Sequence, residues 1–223
     1  MTMSILGPIA IAIFQQMRPG AGDLDLDHAA LHLGFYLASW GMFRGRTWLR
    51  DYTHTIHLEA VRSLAEPRFA PLRRDTFGAD GGDSDLVLLV RDAAIAVRES
   101  YRPFAPKSES RQASDTLVTK ILMGTLGCFP ACDRYFISGY RSHGFKFSEV
   151  NGAQIAKIVY FCRQNAEELR EARDQVEAEI GARYPLMKLV DMHFWQLGLQ
   201  SEGEREKHTP NIPRGTEKGA SIS

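Results

Sequence analysis

Residues 114–143 read SDTLVTKILMGTLGCFPACDRYFISGYRSH, and this stretch decides the fold. Leu117, Val118, Ile121, Leu122, Thr125 and Leu126 recur three and four apart, the spacing of a strongly buried helix face. Gly127 stops that helix, Pro130 delays the next one, and Asp133 stands where an N-cap belongs. A short helix over 134–142 comes next, ended by Gly144.

Upstream, Leu86, Val90, Ala93, Val97 and Tyr101 predict an amphipathic helix over 84–101 that Pro103 and Pro106 end. The linker 107–114 offers Ser or Asp to cap the buried helix after it, and the Pro/Gly-rich stretch 66–83 reads as a loop. Earlier helices are expected from about His28 to Met42, capped from the acidic run 23–27, and from about Thr47 to Ala65. The apolar run from Ser4 to Phe14 is too short to span a bilayer. It reads as a helix or arm packed on the core, with a signal peptide as the alternative.

Downstream, one long helical region is expected from Ser148 to about Ala182, its later half a solvated charged face. Pro185 opens a last helix that Gly198 closes, and residues 201–223 carry the composition of a disordered tail. No strand pattern emerges. The class is all-α, a compact bundle of about eight helices in one domain over 1–200, with a cleft between two lobes as an option.

Composition narrows the function classes. The 44% hydrophobic and 24% charged residues are ordinary for a globular chain, and the formal net charge is zero. Nucleic-acid binding must therefore come from local basic patches, which disfavours a histone-like role. Three cysteines are not a disulfide framework and point to a reducing, cytoplasmic setting. No phosphate-binding Gly-rich loop and no Gly-x-Ser-x-Gly elbow occurs.

Asp133 is the residue that carries chemistry. A helix start favours an ionised carboxylate there, although aspartate in that place is often nothing more than a cap. The order of helix, Gly127, Phe129-Pro130, Asp133 and then Tyr135-Phe136 resembles the helix-hairpin-helix DNA glycosylase superfamily, where a Gly/Pro-containing loop precedes an active-site aspartate. The resemblance spans residues 114–143 and implies a two-lobed, glycosylase-like fold. It also implies a monomer acting on double-stranded DNA with no cofactor, and Asp133 as the catalytic carboxylate. Where bifunctional members hold a lysine nucleophile this chain has Asp115, and the region of the family's hairpin turn, 109–114, has no glycine. The implied enzyme is therefore monofunctional, with Lys120 a pocket or phosphate contact. Removal of modified bases from invading phage DNA, such as glucosylated hydroxymethylcytosine, is the specialised form this points to. The alternative is a non-catalytic helical DNA-binding module.

A flipped base needs stacking side chains. Trp40, Phe43, Trp48, Tyr36 and Tyr135 are candidates, with Arg44 as a forked donor, although aromatics at helical spacing are mostly core. The run from Trp40 to Trp48, with Gly41 and Gly45 inside it, reads equally as a pocket or as a tight helix junction. Arg134, Arg141, His143 and Lys146 could meet DNA phosphates or simply form a solvated basic face. A metal site on Cys128, Cys132, His143 and Cys162 is disfavoured, because Cys-x3-Cys has no well-spaced second pair. His54 and His57 read as a partly exposed helix pair, His193 as a core histidine, and Lys188 with Asp191 as a surface ion pair.

Overall fold

A computed structural model describes residues 22–73, 77, 83–106 and 112–208. The expected N-terminal arm, most of the loop before residue 83, the first part of the 107–114 linker and the end of the tail lie outside them. Eight α-helices occur among the described residues, with no strand. They are α1 (Asp23–Ser39), α2 (Leu58–Ala65), α3 (Asp83–Tyr101), α4 (Asp115–Thr125), α5 (Arg134–Ser142), α6 (Gly152–Gln164), α7 (Ala166–Ile180) and α8 (Leu186–His208). One apolar core draws on all eight, from Leu33 and Leu37 of α1 to Met187, Val190 and Phe194 of α8.

The deciding stretch folds as its residues dictate. The Ser114 hydroxyl accepts from Leu117 N at 3.2 Å and starts α4. Its buried threonines stay satisfied, since Thr119 Oγ1 donates to Asp115 O and Thr125 Oγ1 to Ile121 O. Gly127, at φ 64°, closes the helix with its N–H on Leu122 O. A side chain there would run into the Pro185 ring, so the same glycine seats the start of α8. Gly124 likewise gives room to the Tyr36 ring of α1. The space these two glycines open on the Lys120 helix is filled by the protein's own side chains.

Several boundaries differ from the sequence reading. α1 begins at Asp23 with Gly22 as N-cap, so the acidic run lies inside the first turns, where the helix dipole favours it. The expected helix from Thr47 splits into 3-10 turns at Trp48–Asp51 and His54–His57 before α2 begins. Thr47 caps the first turn through its own hydroxyl, and Tyr52 and Thr53 are extended. Pro67–Arg73, read as loop, is a further 3-10 helix. The long region after Ser148 is two helices broken at Asn165, whose Nδ2 donates back to Phe161 O at 2.8 Å.

Gly198 also departs from its sequence reading. It does not end the final helix, which runs on to His208 and takes up part of the predicted tail. Gly198 instead faces Gly139 where α8 crosses α5, the most extensive helix pairing among the described residues. A Cβ on either glycine would strike backbone of the other helix: the Phe194 carbonyl from Gly139, the Tyr135 carbonyl from Gly198. The two helices touch main chain to main chain. This contact fixes α5, and with it Asp133, against α8.

Candidate functional site around Asp133

The loop 127–132 delivers Asp133 to the start of α5, and three side chains hold it. Thr116 Oγ1 donates to Cys132 O at 3.1 Å, and Cys132 N donates to Thr119 Oγ1 at 2.9 Å. From α8, the Asp191 carboxylate accepts Ala131 N at 2.9 Å. Asp133 itself is extended, and its Oδ1 accepts from Tyr135 N at 3.0 Å and Phe136 N at 3.1 Å. The expected cap is in place.

The other oxygen has a different partner. Lys120 Nζ lies 3.3 Å from Asp133 Oδ2, with the lysine side chain 3% exposed and the aspartate 17%. The Lys120 ammonium also sits 4.5 Å from the centre of the Trp40 ring, and Lys188 Nζ lies 4.9 Å from the same ring. Lys188 pairs with Asp191 at 2.6 Å. Two ammonium groups and two carboxylates thus gather around one indole, at the junction of α1, α4, α5 and α8. Tyr36 closes the cluster. Burial pushes its hydroxyl well above the usual tyrosine range, and the charges of Asp191 and Asp133 push it further. The Tyr36 hydroxyl and Trp40 Nε1 are both buried without a hydrogen bond of standard geometry.

Lys188 and Asp191 are the residues the sequence reading misjudged. Their side chains are 12% and 4% exposed, so they are a buried pair and not a surface one. The available signal was their setting, since Met187, Leu189, Val190 and Phe194 on either side are all core residues.

The remaining candidates fall into other groups. Tyr135 packs edge-on against Trp195, and Arg134 lies over the Tyr135 ring at 4.4 Å, with Glu202 at 3.9 Å. Arg44 is exposed and folds back toward Gly41. Phe43 and Trp48 surround a different centre, His57 and Tyr101. His143 stands at the rim of an aromatic cluster with Phe145, Phe161 and Phe194. Its neighbour there, His193, is exposed, which corrects its reading as a core histidine. Arg141 and Lys146 share a pocket at the far end of α5.

His57 corrects another expectation. It is fully buried, with Nδ1 2.5 Å from the Tyr101 hydroxyl, while only His54 is partly exposed, paired with Asp27. Burial, helped by the nearby His54, lowers the His57 pKa to about 4. An unfolded chain regains an ordinary histidine near 6.5, so it binds the extra proton first as pH falls. The neutral-histidine contribution is complete above pH 6.5 and is lost as pH drops toward 4. Urea unfolding at pH 7 and pH 4.5 should differ by about 2–3 kcal/mol more in the native chain than in His57→Gln. Equal pH dependence in the two chains would remove His57 as the cause.

Cys128, Cys132 and Cys162 are all buried, and burial raises the thiols of the first two above the usual range. Among the described residues no three His, Cys, Asp or Glu side chains gather as a metal group, and no helix is long and apolar enough to cross a membrane. No family model, no curated protein and no solved structure matches the chain.

Proposed function

We propose that the chain is a monofunctional DNA N-glycosylase with Asp133 as its catalytic carboxylate. The observation that carries this is the carboxylate itself: preset at a helix start, locked by two backbone amides and Lys120, yet still partly open to solvent. Cleaving a glycosidic C–N bond develops positive charge on the sugar, and a fixed carboxylate stabilises that charge without having to reorganise. The resemblance of residues 114–143 to the helix-hairpin-helix glycosylases supports the same role.

The neighbours take parts consistent with this. Lys120 is occupied by Asp133 and the Trp40 ring, so its role is to hold the carboxylate in place. Trp40 offers a base only the part of its ring that the two ammonium groups leave open. Tyr36 is buried beneath Trp40, packed edge-on to its ring, so its part is to support the indole from the core side.

The test is base release from a panel of duplexes, including phage DNA with and without glucosylated hydroxymethylcytosine, scored as alkali-labile breaks. Asparagine also caps helices well, so Asp133→Asn keeps the α5 cap while removing the charge. Release should depend on Asp133 and fall at least about 100-fold in the variant. Equal release from unmodified DNA would end the specialised-substrate part of the proposal. No release across the panel would leave Asp133 as a helix cap and favour a non-catalytic binding module.

A further inference from the structure

The outer face of α1 pairs two histidines with two apolar side chains. Helical spacing puts His28, Leu31, His32 and Phe35 on one stripe, opposite the buried Leu33, Tyr36 and Leu37. Phe35 is 58% exposed and Leu31 36%. From His28 to Ser39 the helix has no Asp, Glu, Lys or Arg, so this face lacks the charges that normally solvate a surface helix. His28 is exposed and His32 partly so. Their Nε2 atoms lie 3.0 Å apart, with the rings edge to face and 4.5 Å between centres, so the two outer nitrogens converge in front of the helix.

We propose that His28 and His32 bind zinc together with the same pair from a second copy of this chain, α1 against α1. Zn–N bonds of about 2.0–2.1 Å put neighbouring ligand nitrogens about 3.0–3.4 Å apart, so the pair grips one ion with little rearrangement. Two imidazoles fill half of a tetrahedral shell, and among the described residues no Cys, Asp or Glu joins them as a third ligand. A two-fold axis through the ion supplies the other half, because such a contact brings the same residues from both sides. It also lays Leu31 and Phe35 of one copy along those of the other, which covers the apolar stripe. The chain's formal net charge is zero, so no long-range repulsion opposes the approach. One helix face covers less than the roughly 1,200 Å² of a stable interface, so the ion is what holds the copies together. Nothing in this depends on the reading of Asp133.

The test is sedimentation velocity of the full chain, with a chelator and with zinc chloride, and with bound metal counted after dialysis. The chain should be a monomer in chelator and a dimer holding one zinc per two chains once zinc is added. His32→Gln should abolish both the dimer and the metal. Phe35→Ser should weaken the zinc dimer at least about tenfold. His193→Gln removes another exposed histidine and should change neither. One zinc per single chain, or a dimer that ignores the chelator, overturns the shared site. So does a loss confined to His193→Gln, which moves the ion to the His143–His193 pair. A chain that stays monomeric in zinc overturns it as well. A fall in urea stability in Phe35→Ser then assigns the stripe to the chain's own apolar run, Ser4 to Phe14.

Discussion

Gly139→Val and Gly198→Val should each cost at least about 3 kcal/mol in urea unfolding, or prevent folding altogether. At both positions the obstructing atoms are backbone of the facing helix, so no side chain can swing aside to admit a new one. The helices must separate, and separation takes Phe136 and Phe194 out of contact and moves the start of α5. Gly203 supplies the contrast within α8 itself. A Cβ there meets nothing within 4 Å, so Gly203→Ala should leave stability unchanged or raise it by about 0.5–1 kcal/mol. Identical effects at Gly198 and Gly203 would show that helix propensity, and not the crossing, governs both.

Asp191→Ala is the second large effect. Its carboxylate accepts from the Ala131 amide and from Lys188, and removing it strands a nearly buried ammonium and a loop N–H together. A cost of about 3–5 kcal/mol is expected. The double variant Lys188→Met with Asp191→Leu should recover part of this, because no charge is then left unpaired. It should still lose about 1–3 kcal/mol for the Ala131 amide. A double variant as damaged as the sum of the two single changes would mean that the pair does not act as a unit. Base release should fall in Asp191→Ala as well, since the loop that presents Asp133 loses its tether to α8.

The features legible in the sequence were local ones. A Ser or Asp cap at the end of the 107–114 linker, Gly127 as a stop and Asp133 as the next cap are each signalled within a few residues, and all three hold, the first as Ser114. Asp115 shows where that reading thins. It stands out in the sequence only for its place, where a lysine nucleophile would be, yet it ties Arg98 of α3 and the Val150 amide before α6, partners no spacing rule reveals. Gly198 failed for the same reason. A glycine that ends a helix and one that admits a crossing helix look alike until the partner, here Gly139, is known. The candidate site divides along this line. Asp133 was visible because its cap is local, and Trp40 and Lys120 were named separately. The cluster they form with Lys188 and Asp191 depends on how four helices meet.

The sealed thiols give the molecule an internal clock for its own opening. Cys128 and Cys132 belong to the loop that presents Asp133, whereas Cys162 lies in the middle of the core on α6. None can meet a reagent until its surroundings part, so each labelling rate tracks the fraction of time that region spends open. Thiol labelling of the native chain therefore reports, with no engineered site, whether the carboxylate's loop breathes on its own or only when the whole protein unfolds.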